Sequence, residues 1–372
     1  MPQMIFDDTD GTLGLLRDSV ATFATRFPGA QRLRQRRAAG TDLDREVWAG
    51  MAEAGWLGLT IPEELGGAGL GAREQSVLSE ALGRELISEP LAFLAVFSGA
   101  LLSEAEATVE RERLINGLID GSLIVSPAVQ AANGSIAPIE ASASGDGIKL
   151  SGEAHYVNAA ASADEFLVLA AINDEQALVS VPAASAEISQ RPTLDGSQLG
   201  KVSFSGVSVG ADRVLAKGAA VDAAIEKAVA STRLALAAEM AGIASRELEI
   251  TVEYTSQRVQ FGKPIASFQV LQHKMVDMWA DAEFACAAVV NACERLEEDD
   301  PKAATLAILA AKARAGDASV TVGRRAIHLH GAMGFTDECD IGHFMKRAVA
   351  LNSALGQPEA LRLEFVALER AA

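Results

Sequence analysis

The sequence predicts a mainly α-helical protein with a central β-domain. Three observations carry this. Apolar residues recur at helical spacing towards both ends, the period switches to alternation between Gly121 and Leu215, and alanine is abundant while aromatics are 5% of residues. The 372 residues exceed one ordinary domain. They divide into a helical N-terminal domain (1–118), a β-domain (119–215) and a C-terminal helical bundle (216–372).

In the first part, Leu13, Leu16, Val20 and Phe23 form one apolar stripe. Trp48, Met51, Ala52, Gly55 and Trp56 form a second, and a third helix runs from Glu74 to Arg84. Between them lies the glycine-rich run Leu57–Gly71. Its spacing is not G-x-G-x-x-G and no clear strand precedes it, so it reads as a loop rather than a phosphate cradle. In the middle part, Ile148, Leu150, Phe166, Val168, Ala177, Val179, Val181, Val202, Phe204, Val207 and Val209 fall in short runs. Gly, Asn, Asp and Pro separate these runs, as in an antiparallel β-domain.

In the last part, Leu236, Met240, Ile243, Ile250 and Tyr254 recur at helical spacing. Phe268, Leu271, Met275, Met278, Ala282, Ala285, Val289, Ala292 and Leu296 do so again. Asp300 followed by Pro301 reads as an N-cap and first-turn proline, and Gly331 as the C-terminal stop of that helix. The corner Arg258–Gln269 joins two of these helices, where Gly262 and Pro264 break the period. An Arg suits a phosphate in fork geometry, Gln can hydrogen-bond a heterocycle, and Phe can stack. An ordinary helix–helix corner with a surface Arg has the same residue types.

A net charge of −18 argues against nucleic acid or an anionic membrane as the main partner. The acidic start, Met1–Asp8, does not read as a signal peptide, and the apolar run Pro90–Leu102 reads as too short to span a bilayer. Cys286 and Cys293, seven apart on one helix, read as buried thiols in a reducing cytoplasm. No Cys/His spacing suggests a metal, and His330 and His343 read as solvated or core histidines.

The segment R-x-Q-F-G-x-P-I-x-x-F-Q at Arg258–Gln269, followed by His273, Asp277 and Met278, resembles the signature of the acyl-CoA dehydrogenase family. The run from Gly55 to Gly71 and the later L-G-R-E-L-x-x-x-P-L resemble that family's N-terminal domain. The resemblance implies its fold: a helical N-domain, an antiparallel β-domain and a C-terminal four-helix bundle. It also implies FAD as cofactor, an acyl-CoA substrate and electron-transferring flavoprotein as acceptor. The segment Ala326–Glu338 resembles the family's A-x-Q-x-x-G-G-x-G-x-T-x-E, with His328 for Gln and Ala332 for the second Gly. The flavin contacts carried over are Arg258 to the pyrophosphate, Phe261 and Gln269 to the adenine or flavin side, and His328, Gly331 and Ala332 along the turn. In the family these reach into a neighbouring subunit's flavin.

The chain departs from the pattern elsewhere. The family's T-E-P segment reads Val125-Ser126-Pro127, and its G-x-K-x-W-I-T segment carries Tyr156 and Asn158 where Trp and Thr usually stand. The reaction needs a general base for the α-proton, a glutamate at one of two places. Here those places hold Thr232 and Gly356, and neither can accept a proton at neutral pH. Glu239, on the same helix face as Thr232 about 10 Å along, is a remote substitute. The retained trans-acting residues and the missing base favour the base-lacking subunit of a heterotetramer whose homologous partner carries the Glu, over an active homomeric dehydrogenase with a relocated base, a flavin oxidase or monooxygenase of the same fold, or a non-catalytic assembly protein. The ending G-A-M-G-F-T-D-E-x-D-I resembles bacterial heteromeric members acting on steroid side-chain CoA thioesters.

Overall fold

The computed structural model describes residues 1–144, 147–172 and 175–371. In chain order the helices are α1 (Thr12–Arg26), α2 (Gly29–Ala39), α3 (Arg45–Glu53), α4 (Ala72–Arg84), α5 (Ser98–Ser103) and α6 (Val109–Ile119). Strands β1 (Val125–Ala128), β2 (Ile139–Ser144), β3 (Gly147–Asn158), β4 (Glu165–Ile172), β5 (Glu175–Pro182), β6 (Glu187–Pro192), β7 (Gln198–Gly210) and β8 (Val214–Lys217) follow. After them come α7 (Ala219–Gln257), the two-residue strands β9 (Val259–Gln260) and β10 (Lys263–Pro264), α8 (Gln269–Leu296), α9 (Pro301–His330), α10 (Ile341–Ser353) and α11 (Pro358–Arg370). Two compact units result. One comprises Met1–Arg34, Ala72–Ser88 and Arg233–Ala372, and the other Gln35–Gly71 and Glu89–Thr232.

The second unit holds the sheet, ordered β6-β7-β3-β2-β4-β5-β8. Most pairs are antiparallel, as the alternation predicts, but the sheet is mixed. β1 and β2 both run parallel to β4, β1 alongside Glu165–Val168 and β2 alongside Ala170–Ile172. One strand position is thus shared by two short strands, a long-range pairing that period-two patterning does not specify. The alternating residues form the core as expected: Ile148, Leu150, Phe166, Val168, Val179, Val181, Val202 and Phe204 are buried together. The glycine-rich run folds as a loop closed on itself. The N–H groups of Gly67, Ala68, Gly69 and Leu70 donate to the carbonyls of Pro62, Gly58, Ile61 and Leu59. Those donors are therefore not available for a phosphate.

In the helical unit, α7 to α10 share one core of Ala244, Leu248, Met278, Ala282, Val322, Ala326, Leu329 and Ile341, and α11 packs against α9 through Leu309, Ala313 and Leu361. The α8 stripe is buried as the spacing predicts from Met278 to Ala292, while Leu296 at the helix end is 42% exposed. Two glycines let α4 and α7 cross with backbones nearly touching. A Cβ on Gly83 would lie 2.2 Å from the Glu239 carbonyl oxygen, and one on Gly242 would lie 2.1 Å from that of Glu80. Asp300 caps α9 by accepting the Ala303 N–H at 3.0 Å, and Pro301 opens the helix. Lys312, fully buried on α9, donates to the Leu351 and Asn352 carbonyls at the end of α10 (3.1 and 3.4 Å). Burial, and then Arg233, bring its pKa down to about 7.

Candidate functional site

The corner after α7 is a tight hairpin. β9 pairs with β10 so that Gln260 faces Lys263 and Val259 faces Pro264. The two residues at the tip, Phe261 and Gly262, have φ of +54° and +79°. Positive φ at both tip positions is the type I′ pattern, one of the two that match strand twist, and Gly262 adopts it freely while Phe261 does so only at a cost. The Phe261 ring is 91% exposed, in edge-to-face contact with Phe268 at 6.1 Å. Lys263 lies over Phe268 at 4.3 Å, and the Ile265 N–H closes the corner by donating to the Arg258 carbonyl at 2.8 Å. The Arg258 side chain is exposed and has no hydrogen-bond or ion-pair partner among the described residues. Gln269 is exposed at the first position of α8.

The second sequence-predicted piece ends α9. Gly331 takes φ +63°, its N–H donates to the His328 carbonyl, and a Cβ there would meet nothing within 4 Å. His328, Gly331 and Ala332 are exposed, while Gly334 packs against the Ile327 backbone. His330 is buried: its Nδ1 is 2.8 Å from the Ala326 carbonyl, and burial lowers its pKa from the ordinary imidazole value. The ring therefore favours the neutral form, with Nδ1 donating to that carbonyl. It stacks on Tyr254 with centroids 4.3 Å apart and planes inclined at 20°. This stack joins the corner to the glycine turn, and residue spacing did not reveal it. The available signal was Tyr254 one turn before Arg258 and His330 one residue before Gly331.

The two positions where the sequence resemblance leads one to expect a glutamate, Thr232 and Gly356, are both committed to structure. Thr232 is fully buried, with its hydroxyl 3.4 Å from the Ala92 carbonyl at the start of a π-helical turn. Gly356 has φ +114°, and a Cβ there would lie 2.7 Å from Leu361 Cδ2 and 3.7 Å from Arg233 Nη2. Arg233 itself grips Glu364 through both terminal nitrogens (2.9 and 3.0 Å) and donates from Nε to the Leu355 carbonyl at 3.0 Å. It acts as a structural cation. Glu239 accepts from Arg347 Nε at 2.8 Å in a buried ion pair. Glu247, missed in the sequence, is wholly buried with neither carboxyl oxygen hydrogen-bonded among the described residues, and burial raises its pKa well above the carboxylate range. In the β-domain Tyr156 has φ +56° at a bulge of β3, and its hydroxyl donates to the Ala132 carbonyl at 2.9 Å. Among the described residues no His/Cys/Asp/Glu group is arranged to hold a metal, and no helix is long and apolar enough to cross a membrane.

Family models match both helical ends of the chain: the acyl-CoA dehydrogenase N-terminal domain over residues 12–121 and the acyl-CoA dehydrogenase C-terminal domain over 222–367. Acyl-CoA dehydrogenase IpdE2 of Mycobacterium tuberculosis is 30% identical over 351 residues, spanning 94% of each chain. The chain belongs to the acyl-CoA dehydrogenase family. Two solved structures of that fold extend the comparison. The ChsE4–ChsE5 complex from Mycobacterium tuberculosis has a chain 25% identical with TM-score 0.89, covering 99% of this chain and 100% of that one. A variant of the Tcur3481–Tcur3483 steroid ACAD is 29% identical with TM-score 0.84, covering 96% and 97%. As an acyl-CoA dehydrogenase family member, the chain is of a class of oxidoreductases acting on acyl-CoA.

Proposed function

We propose that this chain is the accessory subunit of a heteromeric, FAD-dependent acyl-CoA dehydrogenase, completing a flavin site for a homologous partner that supplies the glutamate base. The observation that carries the reading is the corner. Arg258 has no partner among the described residues, and Phe261 is 91% exposed in a backbone conformation disfavoured for a bulky side chain. Strain and exposure of this kind persist where another molecule makes use of them. The residues fit the flavin's needs: a free guanidinium for pyrophosphate, an amide at Gln269, and an open turn at Gly331 and Ala332 beside His328. FAD, when bound, accepts the hydride that leaves the β-carbon of the acyl thioester. This chain's part is to bind and orient, because Thr232 and Gly356 carry no group able to take the α-proton.

The proposed assembly has two chains of each kind, a steroid side-chain CoA ester as substrate and electron-transferring flavoprotein as acceptor; the likeness to a chain of the ChsE4–ChsE5 complex and to a steroid ACAD supports a heteromer of steroid type. Apolar side chains left exposed on α8, Val276 (62%), Trp279 (48%) and Phe284 (61%), give such a partner a surface to cover. The test is flavin absorbance of the chain purified alone and co-expressed with a dehydrogenase chain bearing the glutamate. The expected result is no colour alone, yellow together, and loss of colour on Arg258→Ala. A yellow chain that turns over acyl-CoA alone would overturn the proposal.

A further inference from the structure

The two pieces this chain offers to a flavin lie at the ends of different helices, and one side chain touches both. Tyr254 sits one turn before the end of α7. Its carbonyl accepts the Arg258 N–H at 2.9 Å, the last backbone contact before the corner. Its ring stacks on His330 at 4.3 Å, and its hydroxyl donates to the His330 carbonyl at 3.4 Å, immediately before Gly331. His330 is in turn fixed from its own helix by the Ala326 carbonyl, which holds the ring in one orientation. The Tyr254–His330 stack therefore links the corner to the glycine turn.

We infer that Tyr254 and His330 are positioning residues for the shared flavin site. They set the separation between the Arg258 guanidinium and the Gly331–Ala332 turn so that both engage one FAD. The inference rests on the reading given above. A guanidinium on an exposed corner has many orientations, and binding is tighter when its base is already fixed relative to the other contacts. The stack does this without a charge. Aromatic pairs contribute modestly beyond their buried area, and the face of a neutral His330 suits a ring partner.

The test is an FAD titration, followed by flavin fluorescence, of the apo-assembly that the full chain forms with its partner, with gel filtration confirming assembly. Tyr254→Leu, which keeps bulk but removes the stack, is expected to weaken FAD binding about three- to tenfold. Tyr254→Phe is expected to stay near the parent value, since the ring remains. His330→Ala and His330→Phe form a second pair with the same expected contrast, should Tyr254→Leu fail to assemble. Rescue by the aromatic variants distinguishes positioning from general loss of packing. If Arg258→Ala weakens FAD binding while Tyr254→Leu and His330→Ala do not, the positioning role is wrong and the accessory-subunit reading stands. If Arg258→Ala is also without effect, the corner is not at the flavin and both fall.

Discussion

Replacing Glu239 separates a structural carboxylate from a relocated catalytic one. Glu239 and Arg347 are 8% and 7% exposed and 2.8 Å apart, linking α7 to α10. In Glu239→Ala the guanidinium stays in a low-dielectric site without its main counter-charge, which costs about 3–5 kcal/mol. Both residues have a further interaction, so the lower end, about 3 kcal/mol, is the expectation. For a chain of 372 residues, at about 2.1 cal/mol/K of unfolding entropy per residue, that corresponds to a fall in melting temperature of roughly 4 °C. The double variant Glu239→Leu/Arg347→Met removes both charges and should regain most of the loss, because an apolar pair of similar volume is nearly neutral in such a site. Thermal denaturation of the single and double variants reads this directly. Turnover of the assembled enzyme, measured well below the melting transition, should be unchanged in Glu239→Ala. A general base removed would instead cost about 10²–10⁴ in rate. Unchanged stability with a rate loss of that order would refute the structural assignment and place the base at Glu239.

Glu247 makes a pH prediction. Its carboxyl pKa is raised by burial in the fold, so its favourable contribution is complete below about pH 4, the unfolded carboxyl range, and is lost as pH rises towards the folded value. Melting temperatures measured from acid to alkaline pH should therefore show the parent losing stability relative to Glu247→Gln as pH rises, and a parallel pair of curves would contradict this. Gly242→Ala puts a Cβ 2.1 Å from the Glu80 carbonyl oxygen and should destabilise by about 3 kcal/mol, seen as a lower denaturation midpoint. Gly356→Glu should lower the melting temperature and confer no turnover on the chain alone, since φ +114° and the Leu361 side chain both oppose it. Acyl-CoA oxidation by that variant without a partner would contradict the geometry.

The parts of the fold legible in the sequence were those set by local chemistry. Asp300 and Pro301 announce the start of α9 because an N-cap and a first-turn proline act within one helical turn. The β-core residues were readable because alternation reports which face is buried. The parallel pairing of β1 and β2 with β4 was not, because strand direction depends on connections rather than on side-chain period. At the candidate site, the exposed Arg258 and Phe261 lie in one contiguous motif and were found as such. Tyr254 and His330 are 76 residues apart, and Tyr254 read only as one more apolar position in a helical stripe. Glu247 was equally hidden, since it is buried against residues distant in sequence, among them Gly323, where a Cβ would lie 2.6 Å from its Oε1.

The length of α7 has its own consequence. Arg233 and Arg258 lie on or just past that one helix, twenty-five residues apart, about 38 Å at 1.5 Å per residue. Arg233 is engaged by Glu364 within the chain, while the Arg258 side chain has no partner among the described residues. Two cations so far apart on one rigid rod report to different neighbourhoods, and changes at one are expected to add independently to changes at the other. On the accessory-subunit proposal, sequence drift can then erase the proton-accepting end without disturbing the cofactor-facing end. That separability is the physical condition under which a self-sufficient catalyst can divide its labour between two unlike chains.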